Sequence, residues 1–233
     1  MGIVRQLCRE LFRGMIWHMN FGVGGHFLLG LLLVSTAAPL AAQQYPGHPE
    51  TTNTFTGGDG TFRFKYPDSL IACRRNPDGP DHWLPTSCEA FTPVCSNYAC
   101  DSESTAACVA YPADKLKGTN FQAAAFSVNK VKNALTDLEC LKVEEPPTQV
   151  GNARREMVGG VSFTVIETDG VATGNLLEGY VYRAFHSGTC YELDIRIAYS
   201  NPAYAEPDTV KSFNLKAVHQ RLQDVLDTFE FVK

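Results

Sequence analysis

The sequence lacks the short motifs by which most enzyme and metal-site classes are recognised. It contains no G-x-S-x-G, no H-E-x-x-H, no phosphate-cradling glycine loop and no EF-hand loop. It also lacks a C-x-x-C pair, which disfavours both a structural zinc site and a thiol redox role. No internal repeat, low-complexity tract or block of like charge stands out. The sequence therefore gives no catalytic residue, no cofactor site and no metal site to assign.

The first 42 residues are typical of a secretory signal peptide. Three arginines form a positive head, residues 21–34 are apolar apart from glycine and one histidine, and small residues follow up to Ala42. The rival interpretation is an uncleaved anchor, because residues 21–42 are roughly long enough to span a bilayer. The small-residue end favours cleavage, so we expect a secreted or periplasmic protein without a membrane span after cleavage.

The charge of the chain disfavours two classes of partner. The formal net charge is −5, and the first 42 residues hold three arginines against one glutamate, so the remainder is more acidic still. Moderate acidity supports solubility and argues against nucleic acid or an anionic membrane as the partner. Residues 43–57 are polar with two prolines and predict a flexible leader. Residues 58–233 then suit one domain.

The strongest structural signal is a long β-hairpin near the C-terminus. In residues 191–199, five apolar or aromatic side chains alternate strictly with Glu192, Asp194, Arg196 and an alanine, which is the period of a strand. Residues 180–185 are rich in aromatic and β-branched side chains, which suit a pleated surface. Residues 186–189 separate the arms, and Gly188 can adopt the positive φ of a short turn.

The remaining elements predict an antiparallel sheet with a late helix. Short strands are expected at 61–67, 70–73, 107–111 and 120–128, with a short helix at 136–141 and two strands joined at Gly159-Gly160 over 154–168. An amphipathic stripe runs from Leu215 to Leu226 in a helix whose N-cap is Asn214, or Asp208 if the helix starts early, and a last strand follows at 229–231. The predicted fold class is α+β: an antiparallel β-sheet packed against a C-terminal amphipathic helix.

Seven cysteines remain after signal removal, and an exported chain uses cysteine mainly for structural disulfides. An odd number leaves one unpaired or paired between chains. We predict that Cys140 pairs with Cys190, closing a loop worth about 4 kcal/mol in the chain-entropy model. The others are expected to pair locally within residues 73–108 and to hold a loop excursion at 76–106. The disulfide candidates are Cys73, Cys88, Cys95, Cys100, Cys108, Cys140 and Cys190.

Three groups of residues admit both a structural and a functional interpretation. Arg183, Glu192, Asp194 and Arg196 share the polar face of the hairpin, where they form either cross-strand ion pairs on a solvated face or a charged docking patch. His82 and Trp83, in the cysteine-rich loop, belong either to a loop tucked onto the sheet or to a ligand site. His186 and Cys190 resemble a base and a nucleophile, although a disulfide is the stronger expectation for Cys190.

The pattern of elements resembles the PsbP-like fold of photosystem II extrinsic subunits and related bacterial envelope proteins. The resemblance is carried by residues 62–67, which end in Tyr-Pro, by the hairpin 180–199, and by residues 215–231. The segments GTNFQAAAFSV and SGTCYEL also look like those of small uncharacterised secreted bacterial proteins. The resemblance implies a non-catalytic binding or assembly role. The cysteine-rich loop departs from the usual pattern of the family.

These observations favour an exported bacterial protein that acts as a non-enzymatic binding or envelope-assembly module, with an envelope protein as its partner. The alternative is an extracellular hydrolase with its site in the cysteine-rich loop or at the 186–190 turn. A third hypothesis is an envelope protein that retains its first 42 residues as an anchor. The ligand, the full disulfide map and the oligomeric state are left open by the sequence.

Overall fold

The protein is described from a computed structural model, which covers residues 50–76, 79–84, 104–142, 148–172, 174–204 and 210–232. The signal peptide predicted at residues 1–42 lies outside these residues. The strands are β1 (Thr52–Thr56), β2 (Phe62–Pro67), β3 (Ile71–Asn76), β4 (Gly79–Leu84), β5 (Thr105–Ala110), β6 (Phe121–Val131), β7 (Thr148–Val158), β8 (Val161–Ala172), β9 (Asn175–His186), β10 (Thr189–Ser200) and β11 (Glu230–Phe231). The α-helices are α1 (Asp137–Leu141) and α2 (Leu215–Leu226), and short 3-10 helices lie at Ala113–Leu116 and Pro202–Tyr204.

The described strands form two antiparallel sheets. The larger has eight strands in the order β4-β3-β5-β6-β10-β9-β8-β7, and the smaller has three in the order β1-β2-β11. Strand β10 therefore lies inside the larger sheet, paired with β6 on one side and β9 on the other. This arrangement confirms the predicted fold class of an antiparallel sheet with a C-terminal helix.

The predicted hairpin is the pair β9–β10. Its register runs from His186 opposite Thr189 to Asn175 opposite Ser200, so both arms are longer than the sequence pattern indicated. The turn consists of two residues, Ser187 with φ 49° and Gly188 with φ 77°. Positive φ at both central residues is the geometry of a type I′ turn, whose twist matches that of the flanking strands.

The main core lies on one face of the eight-stranded sheet. Period-2 alternation directs Leu193, Ile195 and Ile197 of β10 into this core, together with Phe62 and Phe64 of β2. Helix α2 covers this face and packs against β10, β6 and β2. The residues of its apolar stripe are buried at Val218, Leu222, Val225 and Leu226 and partly buried at Leu215. The aromatic alternation in β2 and the helical stripe are thus explained by one shared core, as the sequence predicted.

Helix α2 begins at the cap that the sequence predicts. The Asn214 side-chain oxygen accepts a hydrogen bond from the Ala217 N–H at 3.0 Å, which satisfies one of the free donors of the first turn. We expect Asn214→Ala to lower the free energy of unfolding by about 1 kcal/mol in denaturant titration. Lys216→Ala, on the exposed side of the same turn, is the control and should stay within about 0.5 kcal/mol of the parent. Equal losses for the two variants would contradict a capping role.

Two predictions made for the N-terminal half are wrong in part. Residues 52–56, inside the range predicted as a flexible leader, form β1 and pair with β2 from Thr52 opposite Pro67 to Thr56 opposite Arg63. The alternation of threonine with Asn53 and Phe55 is a strand pattern, and Phe55 stacks on Phe64 with ring centroids 5.1 Å apart. Within the predicted loop excursion 76–106, residues 79–84 form β4 against β3. Residues 77–78 and 85–103 of that excursion lie outside the described residues, and its last two residues already belong to β5.

Candidate functional site

The polar side of the hairpin faces away from the main core and forms what we call the polar array. Its members lie on five neighbouring strands of the larger sheet. They are Thr105, Ser127, Asn129, Thr168, Arg183, Glu192, Asp194 and Arg196. The array contains the four charged residues predicted from the sequence. It also contains four neutral polar residues that the sequence did not indicate.

The prediction that this side of the hairpin is solvated is wrong for its centre. Asp194 is 4% exposed and Arg196 is 8% exposed. A cluster of small buried side chains, among them Cys108, Ala123 and Ala125, lies beside them on the same face, so the central strands are buried on both faces. Because Asp194 and Arg196 are buried, they cannot serve as a docking patch in this conformation.

Hydrogen bonds link the array across the strands. Arg183 Nε donates to Glu192 Oε2 at 2.6 Å, and the Arg183 guanidinium also contacts the carbonyl of Lys142 just after α1. Asn129 Nδ2 donates to Asp194 Oδ2 at 3.0 Å, while Thr105 donates to the Asn129 carbonyl oxygen at 2.7 Å. The array is therefore one connected network rather than separate ion pairs.

Arg196 and Asp194 are the least satisfied members of this network. Arg196 Nη1 donates to Thr168 Oγ1 at 2.6 Å, but its Nη2 is 3.6 Å from Asp194 Oδ1, which is too long for a hydrogen bond. In the described part of the chain, Asp194 Oδ1 and Arg196 Nε are buried without a hydrogen-bond partner. Burial raises the pKa of Asp194 to about 8, with a further increase from Glu192 and an opposing effect from Arg196.

The hairpin turn does not hold the nucleophile and base of the hydrolase alternative. Cys190 forms a disulfide with Cys140, with Cα atoms 5.4 Å apart, which confirms the predicted pairing. A cysteine in a disulfide has no thiolate to act as nucleophile. The His186 ring stacks on Phe231 with centroids 4.1 Å apart, at the edge of the core. The hydrolase hypothesis is therefore wrong in its placement of a Cys190–His186 pair at residues 186–190.

Helix α1 is a short, strongly fixed turn that displays two leucines. Thr136 Oγ1 accepts from the Glu139 N–H at 3.2 Å, and Glu139 Oε2 accepts from the Leu135 N–H at 2.9 Å, a variant of the capping box in which the return bond goes to the residue before the N-cap. Cys140 anchors the turn to β10 through the disulfide. Leu135 is nevertheless 78% exposed and Leu138 is 70% exposed. They are the two most exposed large apolar side chains in the described residues.

The other candidate residues are only partly covered by the structure. His82 and Trp83 lie in β4, and the prediction that their side chains contribute to a ligand site lies outside what is described. Cys73 and Cys108 are both disulfide-bonded, which fits the predicted structural use of cysteine. Among the described residues no cysteine is free. The predictions for Cys88, Cys95 and Cys100 lie outside the described residues.

An open groove of about 290 Å³ lies on the smaller sheet. It is lined by Thr54, Arg63, Phe64, Lys65, Thr228 and Glu230. Several of the lining groups already contact each other, because Arg63 pairs with Glu230 and Thr228 Oγ1 bonds to both the N–H and the carbonyl of Lys65. These polar groups already have partners, so the groove offers little hydrogen-bonding capacity to a ligand.

A metal site and a membrane-spanning helix are both absent from the described ranges. Histidine, cysteine, aspartate and glutamate side chains do not gather there in any group of three suited to a metal ion. Across the same ranges, no helix combines the length and the apolar character needed to cross a bilayer.

Comparisons with known proteins give similarity to solved structures only. No protein-family model and no curated protein matches the chain. Cyanobacterial PsbP of Synechocystis sp. PCC 6803 matches with a TM-score of 0.42 and 9% identity, over 84% of this chain and 100% of that one. LpqN, involved in cell envelope biogenesis of Mycobacterium tuberculosis, matches with a TM-score of 0.33 and 10% identity, over 80% and 93%.

A protein of Bacteroides thetaiotaomicron matches with a TM-score of 0.41 and 12% identity, over 77% of this chain. This chain spans about half of that protein, 48% of its length. A PsbP protein and an envelope protein are thus among the matched structures, as the resemblance in the sequence implied. At these identities the likeness concerns the fold, and no activity or partner is transferred from it.

Sequence reasoning missed two features of the site for different reasons. Strand alternation assigns side chains to a face but does not say whether that face is covered, so the burial of Asp194 was not predictable from it. The display of Leu135 and Leu138 had a weak signal in the Thr-x-x-Glu capping pattern that begins at Thr136. That pattern, together with the disulfide prediction for Cys140, could have indicated a rigid turn with apolar side chains.

Proposed function

We propose that this chain is an exported, non-enzymatic module that binds a protein partner in the cell envelope. Export is supported by the signal-like N-terminus and by the use of cysteine in disulfides. The observation that carries the binding role is the exposure of Leu135 and Leu138 at the N-terminal end of helix α1.

The rigidity of α1 is what distinguishes these leucines from scattered surface residues. A helix of five residues is not stable on its own, so its capping box and the disulfide of Cys140 are needed to hold it. Leu135 directly precedes the N-cap Thr136 and Leu138 lies in the first turn, so both exposed side chains belong to the N-terminal end of α1. Fixing a turn this firmly while exposing its apolar side chains is the arrangement expected of a contact surface, because side chains that are already ordered lose less entropy on binding.

The size of the surface indicates the kind of partner. A stable dimer buries about 800 Å² on each side, and two leucine side chains cover only a small part of such an area. They fit instead the central anchor of an interface, which inserts into an apolar pocket and carries most of the binding energy. We therefore assign the pocket to a different envelope protein rather than to a second copy of this chain.

The test compares two surface variants of the mature protein. Leu135→Ser/Leu138→Ser removes the anchor, whereas Met157→Ser changes a residue of β7 that is 68% exposed and serves as the control. In crosslinking on envelope preparations, we expect a discrete crosslinked species that the control retains and the double variant loses at least tenfold. The two variants should have the same thermal midpoint, because none of the three changed side chains is buried.

Two outcomes would contradict the proposal. One is a crosslinking pattern that the double variant leaves unchanged. The other is a loss of the same species in Met157→Ser, which would indicate non-specific adhesion. A dimer of this chain that the double variant abolishes would contradict the choice of a different protein as the partner.

A further inference from the structure

The carboxyl groups of Glu192 and Asp194 are neighbours on the buried side of β10, because Asn129 Nδ2 lies 3.0 Å from Asp194 Oδ2 and 3.5 Å from Glu192 Oε1. An ionised carboxylate can only accept hydrogen bonds, and two like charges this close disfavour each other, so one carboxyl of the pair is expected to carry a proton. Glu192 accepts a hydrogen bond from Arg183 Nε at 2.6 Å, whereas the guanidinium of Arg196 is 3.6 Å from Asp194 and outside hydrogen-bonding distance. The proton of the pair is therefore assigned to Asp194.

The charged groups that face this pair are few. Strand β10 contributes Arg196, and β9 contributes Arg183. Helix α1 carries the carboxylates of Asp137 and Glu139, of which Glu139 accepts a hydrogen bond from the Leu135 N–H, and the contact of this segment with Arg183 is the uncharged Lys142 carbonyl just after the helix. Among the described residues, the neighbouring strands contribute only neutral groups. These are Thr105 of β5, Ser127 and Asn129 of β6, and Thr168 of β8.

Two buried atoms that lack a hydrogen-bond partner indicate a second arrangement of Asp194 and Arg196. Asp194 Oδ1 and Arg196 Nε are both buried without a hydrogen-bond partner in the described residues, at a cost of about 1–3 kcal/mol for each such atom in general. The two residues are adjacent on one face of β10, and Arg196 Nη2 is 3.6 Å from Asp194 Oδ1. A modest rotation of the guanidinium would bring these two atoms together.

We propose that Arg196 is a proton-operated switch with two positions. While Glu192 and Asp194 share a proton, Arg196 is held by Thr168. When the proton leaves, Arg196 turns from Thr168 to the Asp194 carboxylate. In this step the O–H bond of the Asp194 carboxyl breaks, its electron pair stays on the oxygen, and the proton passes to a base in the solvent. The switch couples the side-chain contact between β10 and β8 to external pH.

The direction of the pH dependence follows from the two states of the chain. In the unfolded chain Asp194 loses its proton near the ordinary pKa of 3.8, whereas burial in the folded protein raises this pKa to about 8. Between these values the folded state holds one more proton, so stability falls as pH rises. The stabilisation from Asp194 is fully present below its unfolded-state pKa of 3.8 and is lost as the pH rises through its folded-state pKa of about 8.

The first experiment observes the carboxyl directly in the folded protein. In ¹³C NMR of aspartate-labelled protein, we expect one side-chain carboxyl to titrate above pH 6 and to be absent from Asp194→Asn. Thr168→Val removes the first position of Arg196, so the same signal should titrate at lower pH. Thr164→Val is the matched control, because the Thr164 hydroxyl has no hydrogen-bond partner in the described residues. It should leave the titration unchanged.

The second experiment measures the linkage to folding. Relative to Asp194→Asn, the unfolding equilibrium constant of the wild type should rise about tenfold per pH unit between pH 5 and 7.5. The proposal is overturned if every aspartate carboxyl titrates below pH 5, or if the ratio of unfolding constants does not change with pH. A Thr168→Val titration identical to wild type would overturn the two positions of Arg196 and leave only the shared proton.

Discussion

Replacing Cys140 and Cys190 together by serine is expected to lower the free energy of unfolding by about 4 kcal/mol. The disulfide closes a loop whose ends are 50 residues apart in sequence, and its removal returns that closure entropy to the unfolded chain. Both cysteines are buried, in a small cluster with Ala134 that is completed by Val131 and Phe185. Part of the loss will therefore come from packing.

The measurement is denaturant unfolding of the double variant under oxidising conditions, with the other cysteines intact. Changing both residues avoids a lone thiol that could exchange with other disulfides. Cys140→Ala/Cys190→Ala is the comparison variant, because it breaks the same bond without introducing buried hydroxyl groups. The two double variants should agree to within about 1 kcal/mol. If both double variants lose less than about 1 kcal/mol of unfolding free energy, the disulfide contributes little to stability, which would contradict the prediction.

Gly179→Ala is expected to cost at least about 3 kcal/mol of unfolding free energy, because the backbone of β10 leaves no room for a side chain there. A Cβ placed on Gly179 would lie 1.9 Å from the carbonyl oxygen of Ile195 and 2.9 Å from its carbonyl carbon. A backbone neighbour cannot rotate away, so β9 and β10 would have to separate at the centre of the larger sheet. Their register places Gly179 directly opposite Arg196.

Gly170→Ala is the matched control for this prediction. Gly170 lies in β8, the strand next to β9, and its added Cβ would be 3.7 Å from the Leu177 side chain, which is ordinary contact. Both glycines lie inside strands, so the two variants share the same intrinsic change in strand preference. Denaturant unfolding should find Gly170→Ala within about 1 kcal/mol of wild type. A similar small change for Gly179→Ala would contradict the close approach of the two strands.

The sequence predicted this fold well where one face of an element lies in the core. The alternation in β10, the aromatic residues of β2 and the stripe of α2 each appear in the structure with the predicted side buried. Such patterns can be recognised in the sequence because the residues that face the core recur with the period of the strand or helix, and these are the residues that burial selects to be apolar. The PsbP-like resemblance was drawn from these same three elements.

The sequence did not predict features that depend on which other part of the fold packs against or pairs with a strand. Residues 52–56 were assigned to a leader because threonine and asparagine are polar, although their pairing with β2 makes them an edge strand. Asp194 and Arg196 were assigned to a solvated face because charges usually lie in water. Both cases needed the tertiary partner, which neither periodicity nor composition contains.

The disulfide between Cys140 and Cys190 also affects how the protein would tolerate proteases outside the cell. Strands β7, β8 and β9 lie between these two cysteines in the chain. A single peptide-bond cleavage anywhere from Lys142 to Thr189 therefore leaves two fragments that are still covalently joined. Such a nicked protein would migrate as one band without reductant and as two bands with it, and its sheet could remain assembled.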